Sequence, residues 1–500
     1  MTTATTVIRG GTLLEPAGLR ARPADILIEG DTIREIGAPG LRAPEGTRQI
    51  DARDRLLIPG LINAHTHSHG ALARGIVPDA IPLEILLGYA GAVNGNRTLE
   101  DKRLSAQISA IELVRKGCTA CFDMFTEFPA PTVEGVHAVA RAYQQVGVRA
   151  VVAPMMADLT LWQALPGLLA SLPDAVRRQV EGLRASPGQA TATTCRDILK
   201  AWPIDRSEVA PGIGPTIPLH CSDGFLGACR DLAREFDVPL QMHLAESRGE
   251  AVLGIEKYGT SLTAHLDGLG VVGPRFSGAH GVWLEDDDVR RLAGAGASIA
   301  HNPMSNLRLG SGVARVRAML AAGLRVGLGT DSASSSDTQN MFEAMRLCAY
   351  LSRVQTFDYR EWITAGEAFT LATEGSARVL GMDRIGRLLP GFKADVVFLD
   401  LSRTGWVPLN DALLQLVNTE SGAAVDSVMV GGRLVLERGR LLTVDEAKIR
   451  AEAERTAERL RAVNAESYAS ARALAEHVGA FCLRVTGHEG RKGAVGTTQK

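Results

Sequence analysis

Short aliphatic and β-branched runs, each stopped by glycine or proline, open the chain: VIRGGTLLE, ADILIEG, TIREIG and RLLIPG. Such residues suit a pleated, half-buried surface, and with turn formers between them they predict strands of a small sheet. The same texture returns after Gly386 in ADVVFLDL and AVDSVMVGGRLVLERGRLLT, where GGR between two apolar runs predicts a hairpin turn. One small β-sandwich domain built from both chain ends, 1–58 with 388–443, accounts for both blocks. Between them, short apolar runs alternate with longer stretches of helical spacing, which predicts βα units and a parallel sheet. Eight runs read as strands: LIPGLINA, TACFDMF, RAVVAPMM, VAPGIGP, PLQMHL, RFSGAH, ASIAHN and RVGLGTD. The span from Leu57 to Asp331 is close to the roughly 250 residues of one eight-stranded βα barrel. The expected fold is therefore α/β, a (β/α)8 TIM barrel over 59–387, with an open doubly wound sheet as the rival. Residues 160–202 exceed an ordinary barrel connection and predict an inserted lid or local subdomain. The Ala-, Glu- and Arg-rich stretch 444–478 predicts helix. The tail from Thr486 is Gly-, Lys- and Thr-rich and predicts a frayed end, so 444–500 stands apart from both domains.

Composition acts on this picture by exclusion. At 45% hydrophobic and 22% charged, the 500 residues can bury a large core, which removes disordered, collagenous and coiled-coil classes. Lys and Arg number 54 against 56 Asp and Glu, for a formal charge of -2, and no basic stripe stands out. Attraction to nucleic acid or anionic lipid has no support, so the expected partner is a small molecule. The start, MTTATTVIRGG, has no signal-type apolar stretch, and no segment has the roughly 18 apolar residues of a spanning helix. Seven cysteines without framework spacing fit a reducing compartment. A cytoplasmic location is expected.

Histidine placement carries the chemistry. His65-Thr66-His67 follows LIPGLINA directly. Alternate residues of a strand share a face, so both imidazoles project inward at the C-terminal end of the first barrel strand, where barrel sites lie. His69 continues the alternation past the strand end, as an outer partner of the site or a loop residue. His243, His280, His301 and Asp331 close later apolar runs. Burying four such groups without partners costs several kcal/mol apiece, so convergence on one cation is the economical reading. Nitrogen and carboxylate donors without thiolate suit Zn²⁺, with Fe²⁺ or Mn²⁺ feasible.

The strings PGLINAHTH, HLAE at 243–246, AHGVWL at 279–284, HNPMSNLRLGSG at 301–312, LGTDSASSSDTQNMFEAMR at 328–346 and IGRLLPGFKADVVFLD at 385–400 resemble the amidohydrolase superfamily. They are similar in particular to its cytosine deaminase, guanine deaminase, S-adenosylhomocysteine deaminase and triazine hydrolase branch. The resemblance spans about residues 5 to 445. It implies that His65, His67, His243 and Asp331 bind a single divalent metal, that Glu246 shuttles protons to and from the substrate ring, and that His280 contacts the attacking water or the substrate. Binuclear relatives bridge two metals through a modified lysine near the end of strand four, and VAPGIGPTIPLHCS contains none. It also implies a homodimer or homotetramer.

A metal lowers the pKa of bound water from about 15.7 toward 7, giving hydroxide near neutral pH. The expected activity is that of an aminohydrolase deaminating an amino-substituted pyrimidine, purine or triazine-like ring, with Glu246, His280 and Asp331 catalytic. The same hydroxide could instead displace chloride or an alkylamine, or cleave an amide or carbamate; a non-catalytic scaffold barrel is the remote alternative. His69, His301, Asn302 and Asn306 are candidates to line the pocket, while Ser332, Ser334 and Asn340 could orient substrate or, the preferred reading, cap the next helix. In the segment ALARGIVPDAIPLEILLGY, where the family often places a substrate-facing acid or tryptophan, Glu84 is the candidate. Three decoys fall away. Gly268, Gly270 and Gly273 satisfy G-x-G-x-x-G but run into Pro274; Cys118 and Cys121 lack a second pair and suit packing; Asn96-Arg97-Thr98 matters only in a secretory context.

Overall fold

The computed structural model describes residues 4–15, 20–336 and 338–487. Eight strand positions form a ring: Leu61–His67, Cys118–Thr126, Arg149–Met156, a broken fourth (Val209–Pro211 and Gly214–Pro215), Leu240–Leu244, Phe276–His280, Ser298–His301 and a broken eighth (Arg325–Leu328 and Asp331–Ser332). Neighbours pair in parallel; Ile213 bridges the fourth to Leu240 of the fifth, and Asp331 pairs with Thr66 to close the circle. The first two strands are buried at every position, as strands covered on both faces must be. All eight runs read from the sequence are strands, with one boundary moved. Arg55–Pro59 belongs to the small sheet, and the barrel begins only at Leu61. The hinge is Gly60, where a Cβ would stand 1.9 Å from Thr119 Oγ1.

The intervening helices start where a hydroxyl can take up an orphan N–H: Thr98, Thr132, Ser222 and Ser247 each cap one. Left-handed glycines at 147 and 259 end two of them. Asn340 caps Met341–Gln355, the capping role weighed for it above.

Both chain ends build one nine-stranded sheet, whose middle is the antiparallel pair Arg55–Pro59 and Val396–Asp400. Alternation sorts its faces. Leu57 joins Ile8, Ile28, Phe398 and Met429 in a core of their own, whereas Leu56 and Ile58 join the main core. At the expected hairpin, Gly431 and Gly432 have φ of 54° and 73° between the paired Val430 and Arg433, the two positive angles a two-residue turn requires. The short polar strand Arg48–Asp51 has no apolar alternation, and periodicity passes it over.

Residues 160–202 fold as four helices, Leu161–Ala164, Leu168–Ser171, Asp174–Val180 and Gly188–Lys200. Glu446–Val463 and Ala465–Val485 make the C-terminal helices, the second packing on Leu83–Gly88 and Ala90–Asn94. Residues 488–500 of the expected frayed tail lie outside the described residues. Among those described, no helix is long and apolar enough to cross a membrane. Gly268 ends a helix and no strand precedes the glycine run, so there is no dinucleotide loop there.

Candidate metal centre and active site

Strand geometry brings four distant residues together. His65 and His67 share the inner face of the first strand, His243 lies on the fifth, and Asp331 opens the short second part of the eighth. All four are buried, and one potential ligand atom from each lies within 4.8 Å of the others. Hydrogen bonds decide which ring nitrogens face inward. Nδ1 of His65 bonds Gln241 Oε1 at 2.7 Å, that of His67 the Met124 carbonyl at 2.7 Å, and that of His243 the Thr216 carbonyl at 2.7 Å. A carbonyl only accepts, so each Nδ1 carries the hydrogen and each ring, when neutral, presents an Nε2 lone pair. Burial acts to lower the His67 imidazole, but Asp331 outweighs it and raises the ring above its ordinary value. Gln241 cannot flip its amide, because its nitrogen donates to the Ala64 carbonyl and to Ser277 Oγ.

The three Nε2 atoms converge. Nε2 of His67 and His243 are 3.1 Å apart, and His65 Nε2 has no hydrogen-bond partner. Asp331 Oδ1 stands 3.0 Å from His67 Nε2 and 3.5 Å from His65 Nε2. Its other oxygen, Oδ2, accepts from Ser305 Oγ at 2.5 Å and Ser335 Oγ at 2.9 Å. Burial acts to raise the Asp331 carboxyl, but the His65 and His67 imidazoles outweigh it and hold the group well below the usual carboxylate range. Lone pairs aimed at one another in a dry interior repel unless a cation lies among them. Three nitrogens and one ionised carboxylate fit a divalent ion.

Glu246 and His280 stand beside this group, Oε2 and Nε2 being 3.4 Å apart. Glu246 Oε1 and His280 Nε2 are buried with no hydrogen-bond partner. Burial, then the Asp331 and Glu250 charges, push the Glu246 carboxyl well above its ordinary value, while burial holds His280 down to about 4. A carboxyl whose burial favours its protonated form therefore faces an imidazole whose burial favours its neutral form. Asn306 Oδ1 accepts from His280 Nδ1 at 2.8 Å, leaving the Nε2 lone pair toward the centre. The backbone is held in left-handed conformations at Ala245, His280 and Asp331 (φ 50°, 74° and 62°). Such angles cost of order 1–3 kcal/mol in non-glycine residues and gather at functional sites. Glu250 secures one of them, accepting the N–H groups of Ala245 at 3.2 Å and Glu246 at 2.7 Å. Burial pushes its carboxyl up to about 7.

The other candidates divide. His69 lines the cavity above the centre, but its Nδ1 accepts the Thr126 N–H at 3.1 Å, so it shows the cavity an Nε2–H donor and lies outside the ligand group. Ser332 and Ser334 line the cavity and bond each other at 2.9 Å. Asn306 sits behind His280. His301 and Asn302 are buried off the cavity, and burial, with His280 nearby, pushes His301 down to about 3. Glu84 faces away from the cavity, its Oε1 accepting from Ser247 Oγ at 2.5 Å. Gln241, Ser305, Ser335 and Glu250 escaped sequence reasoning. Gln241 alone left a signal: it precedes His243 by two on the strand and so shares its face.

The family whose pattern matches this chain is the amidohydrolase family, over residues 56–435. The 5-methylthioadenosine/S-adenosylhomocysteine deaminase of Pyrococcus abyssi is 31% identical over 449 residues, covering 90% of this chain and 98% of that protein. A solved adenosine deaminase from Xanthomonas campestris with bound zinc superposes with a TM-score of 0.80 at 26% identity, over 92% of this chain and 99% of that one. A triazine hydrolase from Arthrobacter aurescens gives 0.82 at 26% identity, over 91% and 99%.

Proposed function

The chain belongs to the amidohydrolase family, and on that premise we propose that it is a mononuclear metal-dependent aminohydrolase, removing the amino group of a nitrogen heterocycle of purine kind. The observation that carries this is the pairing of an inward-facing His65–His67–His243–Asp331 set with Glu246 and His280, 3.4 Å apart, beneath one cavity whose floor His67, His243, Glu246 and Asp331 form. The adenosine-type deaminases among its relatives support the ring chemistry. Zinc suits the donor set and is bound in a similar structure, with iron or manganese compatible with the same ligands. When bound, such an ion acts as a Lewis acid and lowers the pKa of water toward neutrality.

The chain's own residues supply the rest. Protonated Glu246 can hand its proton to a ring nitrogen as water adds to the amino-bearing carbon, relieving the charge that would build on the ring. Asp331, held ionised by its neighbours, accepts a proton from the attacking water while Ser305 and Ser335 fix its other oxygen. His280, aimed by Asn306, faces the reacting carbon's new oxygen. The departing amine then needs a proton, which Glu246 can relay.

The same reading divides the chain into a β-sandwich of 1–58 with 388–443, a catalytic barrel of 59–387 roofed by 160–202, and the helical region 444–500. The shared core of the nine-stranded sheet supports the sandwich. The cytoplasm fits seven free cysteines. The apolar Val354, Phe357 and Tyr359, between 71% and 104% exposed, offer surface for a homodimer or homotetramer.

Ammonia release from zinc-loaded protein across aminated purines, pyrimidines and triazines tests the activity. Glu246→Gln should lower turnover by roughly 10²–10⁴-fold with zinc content unchanged. Unchanged turnover would remove Glu246 from the mechanism. Chloride or alkylamine release without ammonia would assign the site to displacement on a triazine instead.

A further inference from the structure

The cavity over the centre has two chemistries. Its floor is polar, with His67, His69, His243, Glu246 and Asp331, but the wall above is apolar. Helix Leu83–Gly88 presents Leu83, Leu86 and Leu87, and the 160–202 segment adds Trp162 and Leu183. That helix carries one carboxylate, Glu84, and turns it away to Ser247. Most polar side chains that reach the wall are already engaged, the buried Asn94 Oδ1 being without a partner. Glu127 pairs with Lys102 and accepts the Thr132 hydroxyl at 2.6 Å. Thr160 is bonded to Gln163 at 3.1 Å, and the Asn94 amide donates to the Ala90 carbonyl at 3.1 Å. The Arg184 guanidinium donates to the Glu181 and Leu183 carbonyls.

The volume is about 480 Å³, within the range that encloses a drug-sized ligand and more than a bare base fills. A polyol substituent set against this wall would find one open acceptor, Asn94 Oδ1, for its several hydroxyls and leave the others unpaired, a penalty that hydrogen-bonding sites use to discriminate and this one would suffer. An apolar substituent meets no such penalty and gains from leaving water.

We propose that this enzyme takes aminated heterocycles whose non-reacting substituent is apolar, an alkyl or aryl group, in preference to sugar-bearing ones, with Leu86, Leu87, Trp162 and Leu183 determining that choice. The inference rests on the deaminase reading above, since it concerns the same cavity.

Two measurements on the zinc enzyme separate them. Calorimetry compares binding of 9-benzylpurine and purine riboside, neither of which has an amino group to lose; ammonia release compares 9-benzyladenine with adenosine. At about tenfold or more per well-placed methylene, the benzyl compounds should lead by at least tenfold in both. Leu86→Asp should cut the benzyl-to-ribosyl ratio by about tenfold or more. Leu183→Asp, at a rim position 51% exposed and tolerant of charge, should move it the same way should Leu86→Asp fail to fold. Equal or better binding of the riboside, no binding of either compound, or ratios unmoved in both variants would overturn the proposal. A tenfold binding preference with no ammonia from any substrate would strike the reaction and leave the pocket assignment standing.

Discussion

Replacing Gln241 with methionine tests the logic of the metal centre away from the ligands themselves. Gln241 is fully buried, and its amide makes three bonds: it accepts from His65 Nδ1 at 2.7 Å and donates to the Ala64 carbonyl at 3.0 Å and Ser277 Oγ at 3.1 Å. Methionine preserves length and flexibility but leaves three buried polar groups without that partner. At roughly 1–3 kcal/mol for each, partly relaxed, the loss of stability is about 3–6 kcal/mol. The effect on the metal is separate. Without an acceptor at Nδ1, the His65 hydrogen is no longer confined there, and the tautomer with Nε2–H turns a donor toward the centre. Loss of such an orienting partner typically weakens metal binding by about 10–100-fold, or ~1.4–2.7 kcal/mol. Chelator competition at pH 7 reads the zinc affinity, and urea unfolding of the metal-free protein reads the stability. Gln241→Glu keeps the acceptor and should recover most of the affinity while remaining destabilised. Zinc affinity in Gln241→Met within a factor of three of the parent would refute the claim that this amide sets the tautomer.

His243→Ala should abolish stoichiometric zinc and turnover together; elemental analysis showing one zinc per chain would contradict its role as a ligand. Glu250→Gln leaves one of the two backbone N–H groups at Ala245 and Glu246 against an amide NH2, and kcat should fall about tenfold, ~1.4 kcal/mol, with zinc retained. An unchanged kcat would mean the turn holds Glu246 without Glu250. His220 supplies a pH test. Burial, aided by the Lys257 charge, pushes its imidazole down to about 4 from 6.5, so between those values the unfolded chain binds a proton that the folded one refuses. Stability should therefore drop as pH falls through this window. His220→Gln should lose about 3 kcal/mol less than the parent between pH 7 and 4 by urea unfolding, and parallel losses would refute it.

The strands were legible because their signal is local: an apolar run closed by a polar residue needs no knowledge of its neighbours. The same locality exposed His65, His67, His243, His280 and Asp331, since a barrel gathers the C-terminal ends of its strands. Glu84 shows where that stops. It was a candidate to face the substrate, and the structure turns it to Ser247. Which face of Leu83–Gly88 points inward depends on docking against Ala465–Val485, nearly four hundred residues away. Ser305 and Ser335 were equally invisible, because a serine after a strand end reads as turn or cap until the carboxylate it serves is placed.

The sequence by itself determined the strand positions, the hairpin at Gly431-Gly432, the residue types able to hold a cation and the family pattern, all of which follow from spacing along the chain. Only the tertiary structure decided which nitrogen of each imidazole faces the centre, that Glu246 is buried beside His280 with its carboxyl pushed up, and that the cavity wall is mostly apolar. Tautomer, proton and wall each depend on the burial and hydrogen-bond partners contributed by several strands and helices at once, and no single stretch of chain contains that information.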